Sequence, residues 1–365
     1  PGKERGQLVL VLEVQETGFD FRWAAGNTDI DGWYLVPAML AYDNAFGKGG
    51  DLDLRWQIGF RHNGLLLRYR QPRAGDGRSY WGARLGLIST DWVYSFGGVE
   101  FLHRVKTAGL ETVYGRRYAP HRLFELGLKI EEADAVDYSI AQNDSPDGSL
   151  AFEDRIEGAD LPQAIQKNIG SAVRTILHAD WQFDTRSTET KAGTPVSGVW
   201  GRLKGKFTLL EGGSFPGIRG DLRAYKEVPG GVLAARLQGA WVGKRAAFYD
   251  RLYLGGMYTV RGFSTNSLSA PGGDTWLLAS SLEYRSSILN DKKGSKLAGI
   301  FFLDSGLSGS PESADPYKGL AVGVGYGLQW RVWWLDWVGV NIGFPVTERP
   351  LDIRFQGTAS IGWSF

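Results

Sequence analysis

The chain of 365 residues contains no cysteine, so a disulfide framework and thiolate metal sites are both excluded. It has no run of 18 or more apolar residues, so no segment reads as a transmembrane helix. Neither sign of charge dominates: 41 Lys and Arg stand against 40 Asp and Glu, and nothing in that balance points to nucleic acid. Histidine is scarce. His62, His103, His121 and His178 lie far apart, none at a metal-ligand spacing from another, and read as surface or lumen polar residues. No Gly-x-Ser-x-Gly elbow appears in a strand-to-helix setting, and no Ser/His pair stands out, so no catalytic residue is assigned and no enzyme is expected. Gly323-Val-Gly-Tyr-Gly327 superficially evokes a phosphate loop, but it sits inside an alternating segment with no helix after it. No metal and no cofactor is expected. The chain opens Pro1-Gly-Lys-Glu-Arg5 without a charged, then apolar, leader, so no signal peptide is visible and a preceding segment is expected.

What is abundant is glycine, at 51 residues, tryptophan, at 14, and period-2 alternation from Phe19 to the C-terminus. At 51–60, Leu52, Leu54, Trp56, Ile58 and Phe60 share one face and Asp51, Asp53, Arg55 and Gln57 the other. The same division recurs at 199–207, 320–332 and 351–365. A soluble sandwich alternates too, with its apolar face inward. Here, however, apolar faces end in Trp, Tyr and Phe, as membrane girdles do, and the opposite faces carry ionisable residues along their middles, as a watery lumen allows. Strands of about 9–11 residues suit a tilted membrane crossing.

Sixteen such segments are counted: 19–29, 33–45, 50–61, 63–72, 79–92, 99–116, 121–135, 171–184, 197–209, 217–227, 231–243, 275–287, 296–305, 319–331, 336–345 and 351–365. The expected fold is all-β, a 16-stranded antiparallel transmembrane β-barrel over residues 18–365. With both termini in the periplasm, 136–170, 244–274 and 306–318 become outside loops, while Phe46–Gly50 and 291–294 become periplasmic turns. Asp160 is a candidate cap for a short helix in the first of those loops.

One contact organises the whole. On 275–285, Trp276, Leu278, Ser280, Leu282 and Tyr284 share a face, which turns Glu283 into the lumen; on the next strand Phe301 and Leu303 face out and Asp304 faces in. Two inward carboxylates on adjacent strands call for a shared cation, and Arg261 in the preceding Gly-rich loop has a planar fork able to donate to both. That contact would fold an outside loop inward. Lumen cations Arg55, Arg68, Arg70, Lys204, Lys206, Arg219 and Arg223 either attract anionic substrates or are balanced by Asp51, Asp53, Glu125 and Asp221; the near-zero net charge favours balance.

Val260-Arg261-Gly262-Phe263, preceded by Tyr253-Leu-Gly-Gly256, together with Phe302-Leu-Asp304-Ser-Gly306 and the Ser281-Leu-Glu283-Tyr strand between them, resemble the two signature motifs of a superfamily of outer-membrane barrels. That superfamily includes BamA, TamA and the two-partner secretion transporters. Asp43-Asn-Ala-Phe46 with Gly47–Gly50 looks like its turn after the second strand, Phe183-Asp-Thr-Arg186 with Gly193-Thr-Pro-Val-Ser-Gly198 looks like its mid-barrel turn, and 7–16 looks like the last strand of a POTRA domain. Residues 1–17 are therefore expected to be the end of a POTRA-like domain or a linker, with no complete POTRA domain in the chain.

The resemblance implies residence in a bacterial outer membrane, a latch formed by Val260, Arg261, Gly262, Phe263, Glu283, Phe302, Asp304 and Gly306, and a lateral gate between first and last strands. Barrel closure requires those strands to pair. Phe21, Trp23 and Ala25 on one side, and Gly357, Ile361, Gly362, Trp363 and Phe365 on the other, are the expected gate residues, with Gly357 and Gly362 weakening the pairing. The implied partners are unfolded outer-membrane or secreted proteins, the lipid bilayer and periplasmic accessory proteins. Assembly or insertion of other barrels is the leading expectation. A secretion pore for one partner or an N-terminally fused passenger is the alternative, and a plain diffusion porin the third reading.

Overall fold

The computed structural model describes residues 19–23, 34–59, 61–72, 77–292, 294–311, 319–332, 336–348 and 354–361. Among the described residues sixteen wall strands form one antiparallel sheet: β1 (Phe19–Trp23), β2 (Tyr34–Ala45), β3 (Gly50–Gly59), β4 (His62–Pro72), β5 (Ser79–Phe96), β6 (Val99–Ala119), β7 (Arg122–Ala141), β8 (Gly170–Asp184), β9 (Ser197–Leu210), β10 (Gly213–Val228), β11 (Gly231–Val242), β12 (Trp276–Asp291), β13 (Gly294–Gly309), β14 (Ala321–Val332), β15 (Asp336–Pro345) and β16 (Gln356–Ile361), with the short Arg155–Glu157 strand added beside β7. Each pairs with its sequence neighbour, as an up-and-down barrel requires. Residues 1–17, for which a POTRA-like end was expected, lie outside the described residues.

The alternation sorts side chains between bilayer and lumen. Along β13, Phe301 and Leu303 are 63% and 47% exposed, while Phe302 and Asp304 are 5% and 1% exposed. The outward faces of neighbouring strands repeat this with Leu278, Leu282, Val324, Tyr326 and Leu328. An apolar face turned away from the interior is stable only against acyl chains. Aromatics also stand at strand ends: Trp241 and Trp276 lie directly opposite each other at one end of β11 and β12.

Several strands run past the expected ends. β5, β6 and β7 span 18, 21 and 20 residues, well beyond the about ten needed to cross a bilayer, so their outer halves project past it. Their projecting ends pack Tyr94, Phe101, Val105, Ala135 and Ala141 into an apolar cluster with Ile156, Leu161, Ile165 and Phe248. The strand extension shortens the first outside loop from its expected 136–170 to 142–169, and β13 likewise continues to Gly309. Where described, the last strand begins at Gln356 rather than 351.

The connectors do not divide by length as simply as expected. Among those at the end expected to face outward, 97–98 and 211–212 are two-residue turns, while 142–169 and 243–275 are long. At the end expected to be periplasmic, 46–49, 120–121 and 229–230 are tight, but 185–196 is a long segment with its own hairpin. Asp160 does not cap a helix: it ends a 3-10 turn, and the following helix Gln163–Gln166 starts from Pro162 without a side-chain cap.

Candidate functional site

The segment 243–275, between β11 and β12, folds into the barrel. Leu252 bridges to Asp274 at its neck. Beyond the neck Leu254, Val260, Phe263 and Leu268 pack on the inward faces of Phe215, Val242, Leu277, Ala279 and Ala321. Its tip lies against glycines of the wall. A side chain at Gly306 would meet Leu254 and Val260 at 2.7–2.8 Å, one at Gly323 would strike the Arg261 carbonyl, and one at Gly343 would run into Gly262. Gly262 itself has φ +99, and a Cβ there would sit 2.8 Å from the Phe344 carbonyl carbon. Only glycine meets both demands.

At the tip the Arg261 side chain is 3% exposed and fully engaged. Its Nη1 lies 2.7 Å from Glu283 Oε1. Its Nε and Nη2 donate to the two Asp304 oxygens at 2.7 and 2.8 Å, and its backbone N–H donates to Asp304 at 3.0 Å. Ser281 Oγ donates to Asp304 at 2.6 Å and accepts from Nη2 at 3.1 Å. The guanidinium carbon stands 3.6 Å from the Phe302 ring centroid. Burial by itself lowers the arginine pKa, but Asp304 and Glu283 more than offset it, so the cation is held above its ordinary range. The cavity beside this cluster is about 10 Å³, room for about one water.

Val260, Arg261, Gly262, Phe263, Glu283, Phe302, Asp304 and Gly306 are thus gathered in one place. Sequence reasoning missed three neighbours. Ser281 and Arg285 lie on the same inward face of β12 as Glu283, so the two-residue period carried a signal for both. Arg285 donates from Nε to Glu283 Oε2 at 2.7 Å, and its Nη2 lies 2.7 Å from the same oxygen. Two carboxylates and two arginines make the cluster neutral, whereas one arginine leaves an excess negative charge in a desolvated place. The third, Asp250, enters with the same inward-folded segment. It accepts from Lys206 at 2.7 Å and from Arg174, which also holds Glu131 at 2.6 Å. No local pattern marks it.

Several lumen cations have a partner, though not one anion each. Arg55 and Arg68 share Asp53 at 2.9 and 2.6 Å, Arg223 and Arg236 share Asp221 at 2.9 and 2.7 Å, and Arg70 lies over the Tyr80 ring at 4.1 Å. Among the described residues no group of three His, Asp or Glu gathers as a metal site.

Of the expected gate residues, Phe21 and Trp23 lie in β1 opposite Leu40 and Ala38 of β2, and Gly357 and Ile361 lie in β16 opposite Ile342 and Val338 of β15. Ala25, Gly362, Trp363 and Phe365 lie outside the described residues.

A family model for the Omp85 superfamily domain matches residues 44–363. The chain belongs to the Omp85 superfamily. It is an outer-membrane β-barrel of protein assembly or translocation. No curated protein matches it in sequence. Among solved structures, BamA from Haemophilus ducreyi lacking POTRA domains 1-3 is similar with a TM-score of 0.71 at 18% identity, over 95% of this Omp85 chain and 70% of that one. CdiB from Acinetobacter baumannii gives 0.59 at 13%, over 94% and 60% of the two chains. CdiB from Escherichia coli gives 0.58 at 11%, over 95% and 68%. At these identities the likeness is one of fold.

Proposed function

We propose that this Omp85 barrel inserts or translocates unfolded protein substrates through a lateral gate between β1 and β16, with Arg261 as the latch that keeps the 243–275 segment inside the lumen. The observation that carries this reading is that segment itself. A diffusion pore needs an open water path, whereas here an outside loop folds into the lumen, docked on glycines of β13, β14 and β15 and tied by a buried ion cluster. A protein substrate then has to use a route that opens, and in a barrel the route without covalent linkage is the seam between first and last strands. Opened strand edges template incoming strands by main-chain pairing. Periplasmic accessory proteins would deliver the substrate to that seam.

The chain has no cysteine, so engineered pairs report cleanly. A disulfide placed between 19–23 and 356–361 is expected to stop assembly while the barrel keeps its folded, heat-modifiable migration, and reduction restores activity. Full activity with the seam locked overturns the gate. Depletion in the native host separates the two substrate ranges: a general loss of folded outer-membrane barrels is the result expected of an assembly factor, and loss of one surface or secreted protein alone marks a dedicated secretion pore.

A further inference from the structure

The segment 185–196 between β8 and β9 also folds into the barrel, from the periplasmic end. It forms a small hairpin, Thr190 opposite Pro195 and Lys191 opposite Thr194, turning at Ala192 (φ +51) and Gly193 (φ +72). Its tip lies against the far wall: Ala192 packs with Ala298 and Trp337, and its N–H donates to Ser295 Oγ at 3.0 Å. Its Thr194 Oγ1 accepts from Arg285 Nη1 at 2.6 Å.

We propose that Arg285 is a positioning residue that couples this periplasmic hairpin to the extracellular latch. The contacts run without a gap from Thr194 to Arg285, from Arg285 to Glu283 Oε2, and from Glu283 Oε1 to Arg261. Thr194, Arg285, Glu283 and Arg261 are all at most 2% exposed, so no solvent replaces a partner that leaves. Glu283 is held between two guanidiniums, and its orientation toward Arg261 depends on the one that faces the hairpin. A polypeptide entering from the periplasm meets the hairpin first. Its displacement takes an acceptor from Arg285, lets Arg285 and Glu283 reorient, and weakens the hold on Arg261. The reverse also follows, because a coupling between two sites acts equally in both directions.

This inference rests on the latch reading above, and its test separates the two. In outer membranes carrying the full chain, the rate at which added protease cleaves 243–275 is measured for Thr194→Val, Thr194→Ser and Arg261→Ala. Thr194→Val removes one oxygen at nearly constant volume and is expected to raise cleavage on the order of tenfold, while Thr194→Ser, which keeps the acceptor, cleaves as the parent does. In the opposite direction, an Ala192→Cys reporter is labelled by a thiol reagent from the periplasmic side, and adding Arg261→Ala is expected to speed labelling by a similar factor. If Arg261→Ala leaves the loop protected, the latch reading fails. If Arg261→Ala releases the loop but Thr194→Val changes neither cleavage nor labelling by more than about twofold in a folded, heat-modifiable barrel, the latch stands and the coupling is overturned.

Discussion

Two segments enter this barrel from opposite ends, and they are held there by different means. The extracellular segment 243–275 brings its own charges. Arg261 meets Glu283 and Asp304 on one wall, and Asp250 meets Arg174 and Lys206 on another. The periplasmic hairpin 185–196 docks its tip through one buried hydroxyl, one N–H and a shape that fits Trp337, and its charged pairs, Arg186 with Asp184 and Lys191 with Glu227, stay partly exposed. A desolvated ion pair is costly to break from one side, so the extracellular segment has a single well-defined register. The hairpin depends on steric fit and on hydrogen bonds that a competing chain can supply, which makes it the easier of the two to displace.

That contrast can be broken at its stronger end first. Arg261→Ala leaves Asp304 buried without its cation and is expected to cost about 3–5 kcal/mol. The measurement is the temperature at which the barrel loses its folded migration, together with protease cleavage within 243–275. At the hairpin, Gly193→Val adds strain at φ +72 and drives a side chain into the Trp337 indole, so the tip is expected to undock at a cost of about 1–3 kcal/mol. Faster labelling of an Ala192→Cys reporter checks it. Asp250→Asn keeps an acceptor for Arg174 and Lys206 but removes the charge. It is expected to loosen the first half of the extracellular segment by about 1–2 kcal/mol while leaving the Arg261 half in place, which site-resolved cleavage distinguishes. Least of all, Lys191→Ala removes an ion pair to Glu227 whose side chains are 37% and 53% exposed, and the folded barrel should change by no more than about 0.5 kcal/mol.

The two segments differ equally in how far they could be read beforehand. Glu283 and Asp304 follow from strand alternation, since a residue's face is fixed by counting in twos from Leu282 or Leu303, and Arg261 follows from the shared cation that two inward carboxylates need. Arg285 sits on that same count, two residues beyond Glu283, and only the charge balance of the cluster exposes why it is there. The glycines at 323, 325 and 327 were also placed inward by the pattern, but that the Arg261 carbonyl would press on Gly323 was not visible locally. The hairpin had a turn-like composition at Gly193-Thr194-Pro195 and nothing to say that it turns inward. The long outer ends of β5 and β7 were missed for a different reason, whereas β6 begins at Val99 as expected. Beyond the bilayer their alternation no longer separates lipid from lumen, and it is packing against Ile165 and Phe248 that keeps them extended.

The sequence by itself determined the number of strands, which face of each meets lipid, and the pairing of one loop arginine with two wall carboxylates. These rest on local periodicity and on the cost of leaving a charge unpaired. Only the tertiary structure decided what lies across the lumen: Thr194 against Arg285, 91 residues apart, and Arg174 against Asp250, 76 residues apart. Both contacts are made by segments folded into the lumen, and where such a segment meets the wall is set by the circumference of the whole barrel, a distance that no local pattern of residues encodes.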